Sequence, residues 1–308
     1  MEKYLASYRR APKQIVLDVD ETDDRLHGQQ QGRHFHAYYD EYCYLPLFIY
    51  CGSHVLCSKL RSSNLPTADG VKEELARVVA QIRRRWPKVR IIVRGDSGFC
   101  REDIMSWAES EGIGYVFGLA RNSRLQQRIA AEMDRALRQY RQSGRAARFY
   151  KDFLYRTRES RSRTPRVVGK AEYLSKGANP RFIVTNLSKQ DLEAQRLYEK
   201  LYCARGNMEN RIKEQYLDLF ADRTPCFLMR ANQLRLYLAV VAYMMMDALR
   251  RLALRGTQFA RAQSHTIRMK LLKIGATIKI SVRRVVFALA GGYPYQEVFR
   301  RALAALTS

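Results

Sequence analysis

Gln14-Ile-Val-Leu-Asp-Val-Asp20-Glu-Thr22 decides the fold, because Ile15, Val16, Leu17 and Val19 make a short apolar run that passes directly into acids. Such a run predicts a central strand that ends at a polar site. Side chains alternate along a strand, so Asp18 and Asp20 share a face. Downstream, Val71, Leu75, Val78, Val79, Ile82 and Trp86 recur on one helical face, and Arg83, Arg84 and Arg85 close the last turn where the helix dipole favours cations. Val89-Arg-Ile-Ile-Val93 is a second apolar strand, and it too leads to an acid, Asp96, just past Arg94-Gly95. Two strands that deliver carboxylates at their C-terminal ends, joined through a helix, indicate an α/β fold.

The flanking segments fill out this frame. Between the two acidic strands, 32–39, 45–51 and 56–61 predict an antiparallel meander. After the second, 102–111 predicts a helix stopped by Gly112, 115–119 a strand, and Leu125, Ile129, Met133, Leu137 and Tyr140 a further helix. From 144 to 186 the pattern turns to short basic and aromatic strands, broken at 158–163 and 177–180 and ending in Arg181-Phe-Ile-Val-Thr185, which predicts a β-rich insertion. Ser188 is placed to cap a long helix with Leu192, Leu197 and Leu201 turned inward, continuing through a weak point at Gly206. The expected organisation is a core over 1–143, the insertion over 144–186, completion of the core over 187–231 and a basic helical region over 232–308.

Charge narrows the partner. The 308 residues carry 55 Lys and Arg against 30 Asp and Glu, a net +25, while 46% hydrophobic residues exclude a disordered basic tail. A surplus of that size concentrates polyanions, so nucleic acid leads over an anionic membrane surface. The longest apolar run, 236–246, falls well short of the ~20 residues that span a bilayer and predicts a buried helix. The first residues lack the apolar core of a secretory signal, so the chain is expected in the cytoplasm. Cys43, Cys51, Cys57, Cys100, Cys203 and Cys226 contain no C-x-x-C pair, and buried free thiols are expected rather than disulfides or a zinc site.

Tyr202, Arg205, Glu209 and Lys213 stand at i, i+3, i+7 and i+11, one stripe of a regular helix with an acid flanked by cations. A helix carboxylate beside two strand-end carboxylates is a donor set for two hard divalent cations, with Arg205 and Lys213 available to phosphate. Tyr202-Cys-Ala-Arg205-Gly-Asn-Met-Glu209 fits a Y-x-x-R-x-x-x-E signature without a gap. With Leu17-Asp-Val-Asp20-Glu-Thr22, His27-Gly-Gln-Gln30, Val93-Arg-Gly-Asp96-Ser-Gly-Phe99 and Arg181-Phe-Ile-Val-Thr-Asn-Leu187, nearly the whole chain resembles bacterial insertion-sequence transposases of the DDE superfamily, the cut-and-paste group.

The resemblance implies an RNase H-like core with Asp20, Asp96 and Glu209 as catalytic metal ligands. It implies two Mg²⁺ ions, or Mn²⁺ in their place, and Tyr202 and Arg205 on the DNA backbone. The chemistry implied is phosphodiester hydrolysis and strand transfer at transposon ends, on DNA at the nucleoid, by a homodimer. Relatives carry a Lys seven residues after the glutamate, where this chain has Tyr216, so Lys213 or Lys270 is expected in that role. They also carry a helical DNA-binding region ahead of the first catalytic strand, where fewer than twenty residues stand here, which implies an N-terminally shortened copy.

Other readings stand beside this one. Asp18 shares the face of Asp20 and competes with it as the first ligand. Ile15-Val-Leu-Asp18-Val-Asp20-Glu-Thr22 also resembles the D-x-D-x-T motif of haloacid-dehalogenase-type phosphatases, where Asp18 would be the nucleophile and Asp20 the acid/base. Strand-end acids can equally be helix caps, the Glu209 stripe an ion-paired surface, and the protein an inactive remnant that only coats DNA.

Overall fold

A computed structural model describes residues 4, 5, 8, 10–156 and 164–307, and divides them into two compact units. The expected break at 158–163 lies outside the described residues.

The first unit, Met1–Asp23 with Gly32–Glu209, is built on a nine-stranded mixed sheet. At its centre β1 (Gln14–Glu21) pairs antiparallel with β2 (Leu47–Cys51), which turns back into β3 (His54–Lys59). On the other side of β1, β4 (Arg90–Gly95) and then β5 (Gly114–Leu119) run parallel to it. The helices α1 (Val71–Arg85) and α2 (Glu102–Ser110) supply the crossovers that parallel neighbours require. The sheet continues without a break into the segment expected as an insertion. β8 (Arg181–Thr185) pairs antiparallel with β5, and β7 (Arg166–Leu174) joins β8 to β6 (Ala147–Leu154). The meander falls short at its start, where only His34–His36 and Glu41–Tyr44 are extended. The helix expected over 125–140 is two pieces, Ser123–Arg128 and α3 (Ala130–Ser143).

Alternation along the strands assigns the two faces of the sheet. Leu17, Val19, Ile91, Val93, Tyr115 and Phe117 join one buried cluster with Leu75, Val78, Val79 and Ile82 of α1. Ile92, Val116, Ile183, Leu197 and Tyr198 form a separate cluster on the opposite face. Asp18, Asp20 and Arg94, out of phase with the first set, therefore point to the side covered by the segment that leads to Glu209.

That segment differs from the single capped helix expected. Ser188 Oγ accepts from the Asp191 amide at 3.0 Å in a local turn, and helix begins only at Ala194–Arg196. It widens to a π-helix over Leu197–Tyr202, tightens to a 3₁₀ turn over Cys203–Arg205, and becomes regular in α4 (Gly206–Leu219). The packing of Leu197 and Tyr198 into the sheet, at 0% and 5% exposure, sets the phase there in place of uniform periodicity.

The second unit, Asp24–Gln31 with Asn210–Ser308, is mainly helical around Leu254, Phe259, Ile267, Leu271 and Ala302. Glu214 accepts from both the amide and the hydroxyl of Ser264, each at 2.6 Å, and from Arg250, which fixes the helix start at Ser264. The run 236–246 lies in α5 (Met229–Leu252), but only the stripe Leu236, Ala239, Val240 and Tyr243 is buried, while Leu238 and Met245 are exposed. The C-terminal region is not wholly helical. Ala276–Ile280 and Val285–Leu289 form an antiparallel hairpin, as their β-branched composition favours; Gln296–Thr307 is helical. The cysteines are free, and Cys43, Cys51 and Cys57 are buried as expected, whereas Cys203 is exposed. No helix among the described residues is long and apolar enough to cross a membrane.

Candidate active site

Asp20 lies at the end of β1, buried, with one carboxylate oxygen accepting from the Glu21 amide at 3.1 Å. Asp96 follows β4 and caps the short turn Ser97–Phe99, accepting from the Gly98 amide at 2.8 Å. Glu209 stands in the first turn of α4. Arg205 joins the first and last of these: Nη1 donates to Asp20 Oδ2 at 2.9 Å, and Nη2 lies 2.5 Å from Glu209 Oε1. Burial pushes Asp20 up to about 7, reinforced by the charges of Asp96 and Glu209, while Arg205 pulls the other way. One guanidinium thus serves a group of three acids that feel one another.

Among the described residues no three acidic, His or Cys side chains are drawn together as a ready cation cage. Arg205 stands between two of the carboxylates instead. The donors are oxygens without His or Cys, the set that suits Mg²⁺, Mn²⁺ or Ca²⁺, and the unfavourable charge on Asp20 is of the kind a divalent cation relieves.

In the metal-free protein this shift couples stability to pH. An acid raised from 3.8 to about 7 binds its proton more tightly folded than unfolded, so stability falls as pH rises through that interval. Asp20→Asn is therefore expected to exceed the parent in stability at pH 8 by more than about 1 kcal/mol, with the gain gone near pH 4. Urea unfolding in chelator at both pH values measures this, and equal gains at both would remove the assignment.

Asp18, the competitor for the first-ligand position, is committed elsewhere. Arg94, its parallel neighbour on β4, donates from Nε to one carboxylate oxygen and from Nη2 to the other at 2.7 Å. Arg94 Nη1 also donates to the Leu201 carbonyl, tying β4 to the irregular segment beside Glu209. Tyr202 stands next to the Asp96 turn, Lys213 lies exposed one turn beyond Glu209 on α4, and Lys270 is in a π-helical turn of the second unit with its ammonium 5.8 Å from the Tyr295 ring centre.

Several supporting residues lie outside the motifs of the sequence. Arg61 is buried, pairs with Glu21, and donates to the carbonyls of Leu45 at 3.1 Å and of Thr67 and Asp69 at 2.9 Å each. Thr67 in turn donates to Glu21 at 2.7 Å and abuts Gly98, so the end of β1 and the Asp96 turn are braced together. Gly118 is a second supporting residue. A Cβ there would stand 2.8 Å from the Tyr202 hydroxyl and 2.9 Å from the Ser97 nitrogen. A glycine inside a strand is the signal for such a close approach. Gly118→Ala is expected to cost about 1 to 3 kcal/mol in urea unfolding. Gly291→Ala, with nothing within 4 Å, is expected to stay within about 0.5 kcal/mol of the parent.

Comparison with known proteins identifies the family of the chain. A family model described as transposase DDE domain, group 1, matches residues 1–308. No curated protein matches. Among solved structures, a piggyBac transposase determined by cryo-EM in a synaptic complex with hairpin DNA aligns at a TM-score of 0.41 and 12% identity, over 75% of this chain. The aligned part spans 46% of that protein. The match over its whole length makes this chain a member of the transposase DDE domain family, group 1.

Proposed function

We propose that the protein is a divalent-metal-dependent DNA transposase that hydrolyses phosphodiesters and transfers strands at insertion-sequence ends. Asp20, Asp96 and Glu209 are its metal-binding catalytic acids. The observation that carries the reading is the Arg205 bridge, which joins the strand-end acid Asp20 to the helix acid Glu209, whose charge, with that of Asp96, bears on Asp20. The RNase H-like reading of the core is supported by the strand order β3-β2-β1-β4-β5, with β2 antiparallel and β4 parallel to β1. Two bound Mg²⁺ ions, or Mn²⁺, would supply an activated oxygen nucleophile and charge stabilisation at the leaving oxygen.

The chain's own residues do the rest. Asp20 and Glu209 orient oxygen donors from a strand and a helix, the Asp96 turn holds the third, and Arg205, once released from the acids, offers two N–H groups to a phosphate. Tyr202 and Lys213 are assigned to the DNA backbone, in keeping with the net charge of +25. Two copies, one on each transposon end, are the assembly this role calls for, in the bacterial cytoplasm against the nucleoid. The phosphatase reading is disfavoured by the buried pairing of Asp18 with Arg94, which engages both carboxylate oxygens in a structural contact.

The test is cleavage of labelled duplex DNA by the full chain in Mn²⁺ or Mg²⁺, beside Asp96→Asn and Glu209→Gln, with an aryl phosphate assayed in parallel. Metal-dependent cleavage lost in both variants supports the proposal. Normal cleavage by Glu209→Gln, or turnover of the aryl phosphate alone, overturns it; binding without either activity identifies an inactive remnant.

A further inference from the structure

The two strand-end acids lie beyond the ladder that joins their strands. Pairing of β1 with β4 ends at Asp18 opposite Arg94, two residues short of both Asp20 and Asp96. Asp20 is still held by β2, opposite Phe48, whereas Asp96 has left its strand for the Ser97–Phe99 turn. The separation of the two carboxylates is therefore not set by pairing between β1 and β4, and their like charges oppose close approach.

A link runs behind them. Glu21 alternates with Asp20 and is in phase with Leu17 and Val19, on the face that packs against α1. Thr67 Oγ1 donates to Glu21 Oε1 at 2.7 Å and Arg61 donates to Oε2, so both carboxylate oxygens are engaged away from the site. Arg61 also holds the Thr67 carbonyl at 2.9 Å, while Ser62 and Ser63 donate to the carbonyls of Gly32 at 2.6 Å and His34 at 2.9 Å, which anchors the loop that carries Thr67. On its other side Thr67 meets the Asp96 turn. A Cβ on Gly98 would stand 2.7 Å from Thr67 Cγ2 and 3.1 Å from Asp96 Oδ1, so the methyl presses on the residue whose amide donates to Asp96. The hydroxyl of Thr67 thus serves the end of β1 and its methyl serves the turn after β4. Serine keeps only the first of these arms and valine only the second.

We propose that Thr67 is a positioning residue that sets the separation of Asp20 and Asp96, and with it the affinity of the site for divalent cations. The inference rests on the transposase reading of these acids and names the residue that tunes their site. Thr67 touches neither carboxylate through its hydroxyl; it acts through Glu21 on one strand and through Gly98 on the other. Removing contacts that orient metal-binding side chains from behind lowers metal affinity by roughly 10- to 100-fold.

Mn²⁺ is the probe, titrated into the full chain with the bound ion read from loss of the paramagnetic resonance of free Mn²⁺. Parent, Thr67→Val, Thr67→Ser, Asp96→Asn and Ile82→Val are compared, with urea unfolding in chelator on the same preparations. Ile82→Val shortens a buried side chain of α1 and lowers the urea midpoint without touching the link. Each Thr67 variant is expected to weaken Mn²⁺ binding about tenfold, and Ile82→Val less than about twofold. The Mn²⁺ concentration for half-maximal DNA cleavage is expected to rise in step, while the rate at saturating Mn²⁺ stays within about threefold of the parent. Binding unchanged in either Thr67 variant, or weakened as much in Ile82→Val, overturns the role of Thr67 and leaves the acids assigned. No Mn²⁺ binding by the parent, or binding that Asp96→Asn leaves unchanged, removes the transposase reading of the acids and the role of Thr67 with it.

Discussion

Glu209→Gln is expected to lower the rate of metal-dependent strand cleavage by about 10³-fold or more, roughly 4 kcal/mol on the barrier. The substitution keeps the side chain's length and its hydrogen-bonding reach toward Arg205, but removes the charge that a divalent cation requires. Glu209 is half-exposed in the first turn of a regular helix, so the fold is expected to keep its stability within about 0.5 kcal/mol. Asp96→Asn is expected to lose a similar factor. Its amide oxygen still accepts from Gly98, so the turn survives while the charge is lost. Single-turnover cleavage at saturating Mn²⁺, with unfolding curves on the same samples, separates chemistry from folding. A loss below about tenfold for Glu209→Gln would remove it from the chemistry.

Arg94→Leu is expected to cost about 3 to 5 kcal/mol of folding stability, because it leaves the buried Asp18 carboxylate without its partner. The Leu201 carbonyl loses a donor at the same time. Adding Asp18→Leu removes the stranded charge, so the double variant is expected to recover most of the loss. A buried pair exchanged for packed apolar groups is often close to neutral. A double-mutant cycle from urea midpoints measures the coupling; additive losses would mean that the pair is not the cause. The same variants separate the two acids of β1. Asp18 acts through the fold, so its loss should track stability, whereas loss of Asp20 should track metal dependence.

Much of this is legible from local pattern. The alternation in Gln14–Glu21 and the apolar run ending at Gly95 fix two parallel strands, and the face of Asp18 and Asp20 comes from their phase against Leu17 and Val19. The proposal of Asp20, Asp96 and Glu209 as a set rests on the signature around Glu209, since strand-end acids alone look like caps, and Asp96 is a cap. The illegible part depends on distant partners. Nothing local says that Arg94 reaches Asp18 or that Arg61 braces the Asp96 turn. Likewise 144–186 reads as a separate piece because its joining to the core, through the pairing of β8 with β5 and the burial of Val167 and Ala171 beside Leu17 and Val93, depends on residues far away in sequence. The Tyr202 to Lys213 stripe assumes a uniform 100° per residue, and the segment that leads into it obeys that spacing only from Gly206 onward.

The wide turn at Leu197–Tyr202 makes this part of the chain a phase adjuster. A π-helical turn behaves as one residue inserted into an α-helix, and deleting it restores regular winding while rotating the residues downstream by about 100°. Leu197 and Tyr198 are pinned in the sheet, so the rotation would fall on Arg205 and Glu209, turning both away from Asp20. Spacing within the signature is therefore only half of its specification. The other half is its angular offset from Leu197, so the signature cannot be grafted onto an ideal helix by its sequence alone.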